Sequence, residues 1–209
     1  MEKTFATNHL GHFLLTKLLL GLLRASPPSR VINVSSETHK SVRIVPWDDL
    51  QSEGSYDPLT AYNRTKLMNL LFTRGLARRL AHEGVTANAL HPGWPIRTGL
   101  DRGARGAFGL FIKVSKLFAV SAQEGARTSI YLASSPEVAN VSGRYFIKCR
   151  PAEPSDLSRD EASAKRLWQV STELCGLSDN AASPATQMAA CPLDVAKPMF
   201  EPGDLGKSP

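Results

Sequence analysis

Apolar residues recur at helical spacing across residues 5–23. Leu10, Phe13, Leu14, Leu18 and Leu22 form one stripe, broken by polar Asn8, His9 and His12. Gly11 and Gly21 lower helix propensity without interrupting the pattern. Ser26-Pro27-Pro28-Ser29 ends this helix. Residues 30–36, Arg-Val-Ile-Asn-Val-Ser-Ser, are β-branched and predict a short buried strand. Residues 37–60 are polar and carry Pro46, Gly54 and Pro58. They predict a long loop, and loops of that length in compact domains are usually functional. A second long helix is predicted over residues 59–82, with Gly84 as its stop. A strand follows over residues 85–90, closed by His91-Pro92-Gly93.

Farther along, residues 94–120 predict a loop with a short amphipathic helix at 110–118. Residues 122–133 predict a helix with Gln123 and Glu124 in its first turn, and residues 143–147 a third strand. The last helix opens on Ser158-Arg159-Asp160-Glu161, which fits a capping box, and ends near Gly176. Residues 179–209 hold five prolines, many Ala and Ser, and no periodicity, so a disordered tail is predicted after a folded portion of residues 1–178. Alternating strands and helices predict an α/β fold: a Rossmann-like parallel sheet with flanking helices. Only three strands are legible, fewer than a doubly wound domain normally carries.

Composition adds limits. A chain of 209 residues suits one domain, and 42% hydrophobic with 21% charged residues is ordinary for a globular protein. The net charge of +6 reads as a solvated basic surface, or as a complement to an anionic cofactor or an acidic membrane face. Arg78-Arg79 is the densest basic pair and no aromatics interleave with the basic residues, so no nucleic-acid partner is predicted. The leucine-rich segment 10–23 is too interrupted and too short to cross a bilayer, and no signal peptide or transmembrane segment is predicted. Localisation stays open, cytoplasmic by default, and membrane association is unknown. Cys149, Cys175 and Cys191 are far apart and lack ligand spacing, so neither zinc nor a disulfide framework is expected.

Tyr62-Asn63-Arg64-Thr65-Lys66 places a phenol and an ammonium one helical turn apart. An ammonium there favours the phenolate, and a tyrosine so tuned can pass a proton to or from an alcohol or carbonyl oxygen. Taken alone, the spacing reads more readily as a surface pair. Ser35-Ser36 closes a predicted strand, where parallel sheets bind ligands, although two serines there also read as a plain turn. Asn8 is a polar residue in an apolar helix, which caps, bonds a neighbour or serves a site. His91-Pro92-Gly93 ends the next strand, where backbone can approach a flat ring.

In order, NHLGHFLLT, VINVSS, YNRTK and HPG resemble the short-chain dehydrogenase/reductase family. The retinol dehydrogenase-like group is the nearest likeness, through NHLGHF, the long segment between VSS and the tyrosine, KLMNLLFTRGLARRL and SGRYF. The likeness covers residues 1–177. It implies Asn8, Ser36, Tyr62 and Lys66 as catalytic residues, and Tyr62, Lys66, Pro92, Gly93 and Thr98 as contacts to the cofactor, NADP or NAD, with NADP slightly favoured. It implies a small apolar alcohol or carbonyl substrate of the retinoid, steroid or lipid-aldehyde class. It also implies a homodimer through residues 5–25 and 59–82. Trp94-Pro95-Ile96 makes the segment before Thr98 one residue longer than expected of relatives.

The family's TGxxxGxG phosphate-binding turn and NNAG segment are not in this sequence. The nearest imitation, residues 98–106, follows a Pro-containing loop and reads better as a substrate-side loop. The expectation is therefore an N-terminally truncated chain lacking the N-terminal βαβ nucleotide-binding half. Besides an oxidoreductase, two readings stay open. One is a non-catalytic remnant acting through its dimerisation helices. The other is a fragment whose exposed sheet edge causes aggregation.

Overall fold

The computed structural model describes residues 1–93 and 121–177. Thr98, the segment 98–106, the short helix predicted at 110–118 and the tail at 179–209 lie outside these described residues.

Helix α1 starts as Lys3–Phe5, passes through a π turn at Ala6–Leu10 and continues as Gly11–Ala25. Glu2 caps it, its carboxylate accepting from the Thr4 amide at 2.6 Å. The π turn was not legible in the sequence and changes which residues are buried. One extra residue in a turn rotates everything beyond it by about 100°. Phe5, Leu10 and Phe13 are buried, and Leu20 and Leu23 pack against the core, whereas Leu18 and Leu22 are exposed. The stripe predicted through Leu18 and Leu22 is therefore corrected. The chain has leucines on several faces of this helix, and periodicity alone does not choose among them.

Strand β1 (Ser29–Val34) pairs in parallel with β2 (Val85–His91), from Ser29↔Val85 to Val34↔Leu90. Its predicted C-terminal extension to residue 36 is corrected: Ser35 and Ser36 lie just past the strand, and Ser36 caps a 3-10 turn, Glu37–Ser41. β2 pairs in parallel with β3 (Tyr145–Ile147), which pairs antiparallel with β4 (Arg150–Pro151). The described sheet thus has four strands in the order β1-β2-β3-β4, one more than was legible. Lys148 and Cys149, both at positive φ, make the two-residue β3–β4 turn. Neither residue type signals such a turn, which is why sequence pattern missed it.

Helix α2 (Pro58–Arg79) is capped by Asp57, which accepts from the Thr60 amide at 2.7 Å, and has Pro58 in its first turn. Gly84 then turns the chain at φ +70, where a Cβ would lie 2.7 Å from the Pro27 side chain. α3 (Ala122–Ser134) and α4 (Glu161–Leu174) complete the helices of the described residues. The cap of α4 is Asp160, accepting from the Ser163 amide at 2.7 Å, and not the predicted Ser158, which is buried in a preceding 3-10 turn.

The sheet alternates by face. Ala89 and Tyr145 pack with Leu70 of α2, whereas Leu90 and Phe146 pack with Leu132 of α3. On the α2 side lies a further layer. Leu67, Met68 and Leu71 meet Phe5, Leu10 and Leu167, and Phe72 and Leu76 meet Phe13 and Trp168. α2 is thus covered by the sheet on one side and by α1 and α4 on the other, which is why it lacks a clean polar face. The 37–60 segment is also anchored, with Val45 buried and Trp47 and Leu50 packed on the same core.

Candidate active site

The C-terminal end of β1 meets the N-terminal half of α2 through a seam of polar contacts. Ser35 Oγ donates to the Lys66 carbonyl at 2.8 Å, and the Ser35 amide donates to the Leu90 carbonyl at 2.8 Å. Lys66 Nζ and Asn69 Nδ2 both donate to the Val34 carbonyl, at 3.2 and 3.3 Å. Asn33 Nδ2 donates to Thr73 Oγ1 at 2.9 Å, and that hydroxyl donates to the Asn69 carbonyl at 2.7 Å. Ser35 is spent in this seam, which leaves Ser36 as the serine with side-chain chemistry to offer.

The Ser36 hydroxyl is near enough to Tyr62 to act on its titration, and Lys66 Nζ lies 5.2 Å from the centre of the Tyr62 ring. Burial raises the Tyr62 pKa, and the Ser36 hydroxyl draws it partly back. Burial also lowers the Lys66 pKa. Both charged forms lose hydration in this arrangement, and for each group burial is the largest cause of its shift. Asn8 lies in the π turn, and its Nδ2 donates to Thr65 Oγ1 at 3.3 Å; Thr65 Oγ1 in turn donates to the Tyr62 carbonyl at 2.7 Å. Asn8 thus reaches the Tyr62–Lys66 turn through Thr65. Pro92 and Gly93 leave the end of β2, whose Leu90 carbonyl already holds the Ser35 amide. Gly93 has φ +102, which favours glycine. Thr98 lies outside the described residues.

Sequence reading missed His39. It is fully buried, its Nδ1 is 2.6 Å from the Ser36 carbonyl, and its Nε2 accepts from the Ser155 amide at 3.0 Å. Because Nε2 accepts, the ring proton sits on Nδ1 and donates to Ser36. Burial lowers the His39 pKa and keeps this neutral form. The ring ties the backbone of Ser36 to a segment more than a hundred residues later in the chain, so no local pattern could mark it. Burial also lowers the pKa of His91, at the end of β2.

No group of His, Cys, Asp or Glu suited to a metal ion occurs among the described residues. No helix among them is long and apolar enough to cross a membrane.

No family model matches the chain. Retinol dehydrogenase 14 of Homo sapiens is 52% identical over 179 residues, covering 84% of this chain and 53% of that protein. Retinol dehydrogenase 12 of Homo sapiens is 45% identical over 176 residues, covering 84% of this chain and 55% of that protein. The chain thus spans about half the length of these curated relatives. Among solved structures, an uncharacterised protein from Mycobacterium paratuberculosis superposes with a TM-score of 0.61 at 31% identity, covering 82% of this chain and 57% of that one. The α/β architecture, the ordered motifs and these identities agree: the chain belongs to the short-chain dehydrogenase/reductase family, within its retinol dehydrogenase-like group.

Proposed function

We propose that this chain forms the catalytic portion of an NAD(P)-dependent oxidoreductase that interconverts an alcohol and a carbonyl. The observation that carries this reading is the gathering of Ser36, Tyr62 and Lys66 at the C-terminal end of β1, with Lys66 Nζ 5.2 Å from the Tyr62 ring and bonded to the Val34 carbonyl. Ser36 donates a hydrogen bond to the substrate oxygen. Tyr62, kept protonated by burial, gives its proton to that oxygen in the reductive direction and takes one from the alcohol in the reverse. Lys66 stabilises the Tyr62 phenolate left behind. Asn8, two hydrogen bonds from Tyr62, anchors a water relay that restores the proton.

The residues fit a nicotinamide nucleotide. Lys66 is 9% exposed, and among the described residues its ammonium has the Val34 carbonyl as acceptor and no carboxylate, so donors remain for ribose hydroxyls. Gly93 offers backbone without a side chain to a flat ring. Lys66 and Tyr62 would hold the ribose, Pro92 and Gly93 would lie against the ring, and Thr98 is proposed as a further contact. The nucleotide supplies or accepts the hydride. The resemblance favours NADP over NAD and a small apolar substrate of the retinoid, steroid or lipid-aldehyde class. Fluorescence titration with NADPH and NADH tests the reading. Binding, together with a fall in turnover of at least about a hundredfold in Tyr62→Phe, is expected. No binding at millimolar cofactor overturns activity of this chain by itself, and full turnover in Tyr62→Phe overturns the proton donor.

A second reading is association through the helices. Leu15, Leu18, Leu19 and Leu22 are exposed along α1, which supports a homodimer through residues 5–25. Over residues 59–82 the case is weaker, because α2 spends Leu67 to Leu76 inside the protomer. Sedimentation of the wild type and of Leu18→Glu distinguishes a dimer from a monomer.

A further inference from the structure

A cavity lies on the other side of β2 from β1. It has a volume of about 140 Å³ and sits between α2, the β2–β3 face and the residues that follow β4. Thr73, Arg74, Arg144, Tyr145, Glu153 and Arg159 supply its polar wall. Two of its groups are buried donors with no hydrogen-bond partner: Arg74 Nε and Tyr145 Oη. Tyr145 is only 3% exposed, so a hydroxyl without a partner there costs free energy that an occupant would recover.

The charges in the lining are mostly positive, three arginines to one glutamate. Arg159 is engaged by Glu153, at 2.7 Å, and by Asp156. Arg78, close by, pairs with Glu161 at 3.5 Å. Neither Arg74 nor Arg144 has a carboxylate partner among the described residues. Burial holds the Arg74 pKa down, the neighbouring cations Arg78, Arg159 and Arg144 push it the same way, and Glu153 draws it partly back. Burial raises the Tyr145 pKa, so its hydroxyl remains a donor. Glu153, the only carboxylate in the wall, is already taken by Arg159. The cavity therefore offers donors and positive charge from two elements, with its lining carboxylate already paired to Arg159.

We propose that this cavity is a binding site for a small oxyanion, a phosphate group, held by Arg74 and Arg144 and by the Tyr145 hydroxyl. A phosphate supplies several acceptor oxygens on one centre, which suits donors converging from a helix and a strand. Arg74 approaches from α2, and Arg144 and Tyr145 from the start of β3. The site is separate from the Ser36–Tyr62 pair. The His39 ring stands between them, edge-on to Tyr145 at 5.3 Å and bonded to the Ser36 carbonyl on its other side. The proposal does not rest on the proposed reaction, and its test needs no turnover.

Inorganic phosphate is the first probe, at constant ionic strength with chloride as control, read by thermal denaturation and isothermal titration. The expected result is saturable stabilisation by phosphate that chloride does not reproduce. Arg74→Met, which keeps the aliphatic stem, should weaken binding at least tenfold. Arg144→Ala, at an exposed side chain, should weaken it severalfold and covers the case in which the Arg74 variant fails to fold. Glu153→Gln should tighten it by removing a competing carboxylate. A second arm uses phosphatidylcholine vesicles with and without phosphatidic acid. Retention only by the acidic vesicles, lost in Arg144→Ala, makes a lipid headgroup the source of the phosphate. A response to free phosphate makes it a soluble ligand. Stabilisation matched by chloride, or unchanged in both arginine variants, with no selective vesicle retention, overturns the proposal.

Discussion

Two surfaces of α2 are built on opposite principles. The side facing α1 and α4 is aromatic and dry. Phe13 lies 5.4 Å from Phe72 and 5.1 Å from Trp168, and His9 stacks on Phe5 at 5.7 Å. The side facing the end of β1 is a seam of amide, hydroxyl and ammonium groups, in which Asn33, Ser35, Lys66, Asn69 and Thr73 consume one another's hydrogen bonds. The dry side removes apolar area from water, which stabilises in proportion to area and tolerates small displacements. The polar seam contributes less net free energy but loses its bonds when atoms move by a fraction of an ångström. One side holds the protein together, and the other fixes where Ser36, Tyr62 and Lys66 stand.

The contrast can be broken from the dry side first. Phe13→Ala empties a fully buried ring site against two other aromatics and should cost about 4 kcal/mol, measured by urea denaturation. Acid attacks the same side through His9. Burial lowers its pKa from 6.5 to about 4, with Ser171 Oγ 2.9 Å from Nε2. The folded state thus binds fewer protons than the unfolded state between these values. Stability is full above pH 6.5 and falls as pH drops toward 4, by about 3 kcal/mol on the 1.4 kcal/mol per unit scale. Urea melts across this range should show the loss, and His9→Gln should flatten it. His39 and His91 add to it with the same sign, since burial lowers both.

The polar seam should respond differently. His39→Ala leaves the Ser155 amide without its partner and the Ser36 carbonyl with only the backbone amide at position 39, and should cost about 2 kcal/mol. It should also move the Tyr62 titration, followed by carbon NMR of labelled tyrosine, because the Ser36 hydroxyl that tunes Tyr62 rides on that backbone. A purely structural histidine would change the melt and leave the titration in place. Lys66→Met removes a buried ammonium with one carbonyl partner and should change stability by less than about 1 kcal/mol, in either direction, while abolishing the proposed chemistry. Smallest of all, breaking the exposed Arg24–Glu83 pair with Glu83→Gln should cost under about 1 kcal/mol.

Periodicity located α2, β1 and β2 to within a few residues, because each carries a continuous apolar or β-branched run. Where several registers satisfy the same composition, it failed. The leucines of α1 allow more than one buried face, and a π turn at Asn8 decides which. The capping box at Ser158 was plausible, but Asp160 two residues later makes a better-placed acceptor. The site was legible where its members are a turn apart, as Tyr62 and Lys66 are, or at a strand end, as Ser36 is. His39, Thr65, Asn69 and Ser155 were not, since each acts through a partner distant in sequence or through backbone atoms.

By itself, the sequence determined the alternation of strands and helices, the family and the candidate site residues. These depend on local spacing and residue chemistry, which are written along the chain. Only the tertiary structure decided that burial raises the pKa of Tyr62 and lowers that of Lys66, that Ser35 is spent and Ser36 is not, and that Arg74 and Tyr145 share a cavity. Each of these follows from desolvation or from a hydrogen bond across tens of residues. Such contacts exist only once the sheet, α2 and the segment after β4 have closed on one another.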